Sequence, residues 1–330
     1  MEKKDEFIHI FSRNIREILT RVSIDFSEVQ EIRLRVEAPL LMVYNNQEFF
    51  VTLNGLLSKK REDAYIASKE DLKETMEFMS NYSLYAFEEE MKQGFLTIQG
   101  GHRIGIAGKT ILDDSGIKTM KYISFINARL SHQVKGCGTF ILPYLYKEEK
   151  EIFHTLIISP PRCGKTTLLR DLIRQISDGG NGHQGMNVGV VDERSEIGAC
   201  FQGIPQNDLG IRTDLLDCCP KARGMMMLIR TMAPSVVAVD EIGIREDLKA
   251  MEYVMNCGCK LVATVHGSSI EDLKRKPVLK NLVEDQIFER YIILNNSGKV
   301  GKVEQICDAS GTVLYHSETN KKGIWSDRQV

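Results

Sequence analysis

The chain has 330 residues, 42% of them apolar and 27% charged, with a formal net charge of −2. At roughly 150 residues per domain this length suits about two domains, each able to bury a core. The balanced charge removes any general basic footprint, so nucleic acid is not demanded as a partner, and no run approaches the ~18 apolar residues of a membrane span.

In chain order, residues 7–22 place Ile8, Phe11, Ile15, Ile18, Leu19 and Val22 on one stripe and predict a packed helix. The period then shortens to two. Ile32, Leu34 and Val36 alternate with charged neighbours, and Asn45-Asn46 predicts a hairpin turn into a small antiparallel sheet. Ser68-Lys-Glu-Asp71 resembles a helix start, and a further helix is expected over 83–90. Phe95 to Gln99, Arg103 to Gly108 and Ile123 to Ile126 read as short strands, the last two separated by Asp113-Asp114-Ser115-Gly116. These elements make residues 1–135 an N-terminal α+β domain.

The stretch 129–138 has no period and carries Gly136 and Gly138, which places a boundary and hinge there. Residues 140–150 read as helical. From about 155, strands near 155–159, 188–192, 235–240 and 260–265 alternate with helical patterns, predicting an α/β domain over 136–318 with a mostly parallel sheet. Gly179 to Gly185 reads as a flexible surface excursion, Met225-Met226-Met227 as core filling, and Ser297-Gly298 and Asp308 to Gly311 as turns. Residues 319–330 are expected to be a disordered tail. The eight cysteines show no paired C-x-x-C spacing, so reduced thiols in a reducing compartment are expected.

Ser159-Pro160-Pro161-Arg162-Cys163-Gly164-Lys165-Thr166-Thr167 follows an apolar strand and precedes an amphipathic helix. This is the context of a Walker A loop, in which backbone amides and a helix N-terminus surround phosphates. Lys165 would reach the β and γ oxygens and Thr166 would ligate Mg²⁺. Ser159 stands where the pattern has glycine, which requires a backbone conformation open to a residue with Cβ.

Ser235 to Val239 is an apolar strand ending in Asp240-Glu241. At the sheet edge Asp240 would hold Mg²⁺, partly through water, and Glu241 would activate the attacking water. Two other strands end in Asp192-Glu193 and in Thr264-Val265-His266. Glu193 is a candidate for aligning water or coupling to a neighbouring subunit, and His266 or Thr264 for sensing phosphate. Phosphoryl transfer also invites a cationic finger, for which Arg103, Arg129, Arg194, Arg212, Arg223 and Arg230 are candidates that spacing does not separate. The basic run Lys274-Arg275-Lys276 fits a helix end better than a nucleic-acid site.

The stretches from Asp192 to Ile197, Gly203 to Asp214, Cys219 to Pro234 and Val239 to Gly243 together resemble the stage III sporulation protein AA family. The resemblance spans most of 150–295, with weaker similarity over 80–137. That family is similar in turn to the traffic ATPases of type II and type IV secretion and pilus retraction. The resemblance implies a RecA-like P-loop ATPase core, ATP and Mg²⁺ as cofactors, and a ring oligomer, hexameric in such relatives. It also implies a cytoplasmic, mother-cell location, peripheral to a membrane-embedded sporulation channel. In traffic ATPases an N-terminal domain lends arginines to a nucleotide site, which nominates Arg103 and Arg129. A nucleic-acid-stimulated ATPase and a nucleotide-gated scaffold with negligible turnover are the competing readings.

Overall fold

The computed structural model describes residues 2–80, 88–114, 116–180, 182–295 and 301–317. The expected turn at Ser297-Gly298, the first part of the 83–90 helix and the 319–330 tail lie outside them. The chain packs as two units, Met1–His132 with Ala199–Asn207, and Gln133–Gly198 with Asp208–Val330.

The first unit is built on a seven-stranded antiparallel sheet. Its order is Leu57–Ser58, Gln47–Val51, Leu41–Tyr44, Val29–Arg35, Gly116–Arg129, His102–Asp113, Phe95–Ile98. Asn45 and Asn46 both have positive φ, 50° and 59°, as a tight hairpin turn of matching twist requires. The expected short strands after residue 100 are instead one long hairpin, 102–113 against 116–129.

The single helix expected over 7–22 is two, Glu2–Ile8 and Arg13–Arg21. Ser12 causes the break. It caps the second helix, and its N–H and hydroxyl donate to Thr75 Oγ1 and Asp71 Oδ1, both at 2.9 Å. All six stripe residues are nevertheless buried. The helix Lys69–Met79 starts at Ser68 with a reciprocal capping box to Asp71, as read from the sequence.

The second unit carries the core sheet: β1 (Thr155–Ser159), α1 (Lys165–Asp178), β2 (Val188–Asp192), β3 (Thr213–Asp217), α2 (Lys221–Met232), β4 (Val236–Val239), α3 (Arg245–Asn256), β5 (Lys260–His266), β6 (Arg290–Leu294), β7 (Val303–Asp308) and β8 (Val313–His316). The sheet order is β3-β2-β4-β5-β1-β6-β7-β8. Strands from β3 to β6 run parallel, and β7 and β8 add antiparallel pairs. The central strands are apolar at nearly every position because both faces are covered. Ile157, Val190 and Ala238 join Leu168, Leu172 and Ile176 of α1, whereas Ile158, Val191 and Val239 join Met225 of α2 and Met251 of α3.

Three expectations change here. Only Thr139–Ile141 and Leu142–Leu145 of the 140–150 stretch are helical; Tyr146–Glu148 turns into a short hairpin with Glu151–Ile152. The 179–185 excursion pairs Gly179–Gly180 with His183–Gln184, and the His183 ring stacks on Tyr146 at 3.7 Å. Of the three methionines only Met225 is core; Met226 and Met227 are 36% and 49% exposed.

Candidate nucleotide site

Parallel strands β1, β2, β4 and β5 end at one edge, and every strand-end residue named from the sequence is delivered there. This is where open α/β sheets bind ligands. Ser159 closes β1, fully buried, with its hydroxyl donating to Pro160 O at 2.8 Å. It is not among the positive-φ residues, so serine fits without strain. The left-handed positions of the loop are Arg162 (φ 62°) and Gly164 (φ 92°). Cys163 is buried, and its carbonyl accepts the Gly301 N–H at 2.7 Å, tying the loop to the segment before β7.

α1 then begins at Lys165, whose ammonium pairs with Glu241 Oε1. Thr166 Oγ1 donates to Asp240 Oδ2 at 2.5 Å. Thr264 on β5 joins the two carboxylates: its hydroxyl donates to Asp240 Oδ1 and accepts the Glu241 N–H at 2.9 Å. His266 Nε2 lies 3.1 Å from Glu241 Oε1, and the His266 carbonyl accepts from Lys276 Nζ at 2.6 Å. Arg194 Nη1 donates to Glu241 Oε2 at 3.0 Å. Lys276, read only as a helix-end charge, thus braces a strand-end site residue.

Glu241 has positive φ, 56°, an uncommon conformation for a residue with Cβ. Burial pushes its carboxyl up, but the hydrogen bond and charge of Lys165, helped by His266 and Arg194, outweigh burial and hold it below the usual carboxylate range. It is therefore ionised at neutral pH, the state a proton acceptor needs. Around Asp240 the donors are all oxygens, two hydroxyls and a carboxylate, the set that suits a small hard cation such as Mg²⁺.

The neighbouring acidic pair divides its labour. Asp192 is 2% exposed and accepts the N–H groups of Glu196, Ile197 and Gly198 at 2.8–2.9 Å. Burial nevertheless pushes its carboxyl above the usual range. Glu193 pairs with Lys221 at the start of α2. It lines a small cleft with Arg194, Glu196, Asp240 and Glu241 and makes no direct bond to the Lys165 cluster.

The open cleft over the loop between β1 and α1 is lined by Pro161, Arg162, Gly164, Lys165, Thr166, Thr167, Arg194, Glu196, Glu241 and His266. Arg103 and Arg129 belong to the first unit, where they are partners across the long hairpin. The Arg103 guanidinium stacks on Phe95 at 3.8 Å, and Arg129 Nε lies 4.0 Å from Glu31.

A family model described as Sporulation stage III, protein AA matches residues 1–314. Stage III sporulation protein AA of Bacillus subtilis (strain 168) is 42% identical over 287 residues, which cover 87% of this chain and 89% of that one. Among solved structures, the pilus retraction motor PilT with bound ADP matches with a TM-score of 0.56 at 13% identity, covering 92% of this chain and 82% of its own. The ATPase DotB of Legionella pneumophila matches with a TM-score of 0.50 at 15% identity, covering 81% and 72%. These two likenesses establish the shared RecA-like fold.

Proposed function

We propose that this chain, which belongs to the family described as Sporulation stage III, protein AA, is a Mg²⁺-dependent ATPase that works as a ring of its own copies. The observation that carries the reading is the convergence of Lys165, Thr166, Asp240 and Glu241 at one sheet edge, beside a loop that leads into the N-terminus of α1. The amides of 160–164 and the positive end of α1 would receive the β and γ phosphates. Lys165 would exchange Glu241 for phosphate oxygens.

Thr166 and Asp240 would hold Mg²⁺, Asp240 partly through water, and the ion would neutralise charge on the β and γ oxygens. Glu241 orients a water molecule and takes a proton from it as its oxygen bonds to the γ-phosphorus and the bond to the bridging oxygen breaks. His266, beside Glu241, and Thr264, bonded to Asp240, would register whether the γ-phosphate is present.

In a ring, Arg103 and Arg129 of one copy would complete the site of the next, as the resemblance to traffic ATPases suggests. The two units would be the bodies that move on hydrolysis, and the work would go to a membrane-embedded channel of the sporulating cell, with the ATPase peripheral to it in the mother-cell cytoplasm. Among the described residues no helix is long and apolar enough to cross a membrane.

The test is phosphate release measured across a series of protein concentrations. The ring reading expects specific activity to rise with concentration, because a site completed in trans needs a neighbour. Flat specific activity contradicts the ring, and no release at any concentration favours the nucleotide-gated scaffold. Stimulation by single-stranded DNA or RNA with steep salt dependence would favour the nucleic-acid reading instead.

A further inference from the structure

Spacing does not separate the six candidate arginines and the family resemblance nominates Arg103 and Arg129, but geometry singles out Arg194. Arg194 donates to Glu241 Oε2 at 3.0 Å and lines both clefts at the sheet edge. Arg212, by contrast, is committed to the end of α1, with Nη1 donating to Ser177 O at 2.9 Å. Arg194 is 64% exposed, and an exposed ion pair by itself carries little energy. What distinguishes it is the way its backbone is held.

Asp192, two residues before it, accepts three consecutive amides beyond it. From the other side Arg170 of α1 donates to Glu196 O at 2.6 Å and to Ile197 O at 2.9 Å. Ser195 turns the chain with φ 52°. The segment that presents Arg194 is thus clamped to the helix that begins at Lys165. The oxygens of Glu241 are also served separately: Oε1 meets Lys165 and His266, and Oε2 meets Arg194. A phosphate that engages Lys165 draws it from Oε1 and leaves the contact at Oε2 in place.

We propose that Arg194 is a positioning residue for Glu241 of the same chain, fixing the direction of its carboxylate toward the attacking water while Lys165 is engaged with phosphate. This rests on the ATPase reading. It assigns Arg194 a role in cis, separate from any arginine supplied by a neighbour. A carboxylate on an uncommon backbone conformation, with one partner due to leave, needs a second partner that stays.

The test measures kcat, KM and affinity for a non-hydrolysable ATP analogue in the full chain, for wild type, Arg194→Ala, Arg194→Lys, Glu241→Gln and the double variant Arg194→Ala with Glu241→Gln. Arg194→Ala is expected to lower kcat at least about tenfold, with KM and analogue affinity within about twofold of wild type. Arg194→Lys should recover part of the loss, and the double variant should be no slower than Glu241→Gln alone. Wild-type kcat in Arg194→Ala would overturn this proposal and leave the ATPase reading standing. So would equal losses of turnover and analogue binding, which would make Arg194 a binding residue. A further full loss in the double variant would also overturn it, since Arg194 would then act independently of Glu241. Absence of turnover in wild type would remove the ATPase reading and this proposal together.

Discussion

Lys165 and Glu241, 76 residues apart in sequence, are paired with each other at the sheet edge with side-chain exposures of only 10% and 21%. Each is half of the chemistry read from the sequence, and each currently neutralises the other. Under the proposed ATPase reading, phosphate would compete with a carboxylate for Lys165, and nucleotide binding would be coupled to freeing one oxygen of Glu241.

Glu241→Gln tests that coupling. The substitution keeps the shape, removes the proton acceptor and deletes the charge that holds Lys165. Turnover is expected to fall by about 10²–10⁴, with ATP binding at least as tight as in wild type. Phosphate release together with analogue titration measures both. Unchanged turnover would take Glu241 out of the mechanism.

Asp192 anchors the segment that follows β2, so its loss should cost stability before it affects chemistry. Asp192→Ala leaves three amides, two of them in buried hydrogen bonds, without their acceptor and is expected to destabilise the chain by about 3 kcal/mol; Asp192→Asn, which keeps one acceptor oxygen, should cost less. Denaturant midpoints rank the three proteins. Equal midpoints would mean that the segment is held by other bonds.

A helix glycine usually gains about 1 kcal/mol on replacement by alanine. Gly224 of α2 should show the opposite sign. A Cβ there would stand 2.5 Å from Val191 Cγ1 on β2, so Gly224→Ala must move α2 or the strand. The expected loss is about 1–3 kcal/mol, read as a lower thermal midpoint. A raised midpoint would show that the helix has room to spare.

In the first unit, burial pushes the Asp71 carboxyl up, but the Ser68 N–H and the hydroxyls of Tyr65, Ser12 and Ser68 outweigh burial and hold it below the usual range. A depressed folded-state pKa contributes stability that is present above the unfolded value, about 3.9, and is lost as pH falls through the folded value. The thermal midpoint of wild type should therefore exceed that of Asp71→Asn near neutrality. The gap should narrow as pH is taken down to about 3. A gap that widens in acid would reverse the assigned sign.

The parts legible in the sequence were those with a local cause. Strands β1, β2, β4 and β5 announce themselves as apolar runs because both sheet faces are covered, and each ends in the polar residues that form the site. The Ser68 cap and the Asn45-Asn46 turn are written in two to four residues. What escaped depends on partners far along the chain. β3, Thr-Asp-Leu-Leu-Asp, lacks a buried stretch because it is an edge strand paired on one side only.

The break at Ser12 is set by Asp71 and Thr75, some sixty residues away, and the amphipathic stripe continues across it unbroken. Tyr146 left the expected helix to stack on His183. Ala199–Asn207 packs with the first unit although it lies in sequence between β2 and β3, and no periodicity marks such a crossing. At the site, Glu193 was nominated as a strand-end carboxylate; it pairs with Lys221 and lines a cleft shared with Glu241. Arg194 of that segment, which reaches Glu241, was one of six candidates that spacing did not separate, and the resemblance pointed to Arg103 and Arg129 instead.

Calorimetric titration of the full chain with Mg²⁺ and a non-hydrolysable ATP analogue, for wild type and for Lys165→Ala, tests whether the loop before α1 holds the phosphates. Wild type should bind saturably and Lys165→Ala at least about tenfold more weakly, a difference of about 1.4 kcal/mol or more. Equal affinity in the two proteins would contradict it, because the phosphates would then be held somewhere other than the edge where Lys165, Thr166, Asp240 and Glu241 meet.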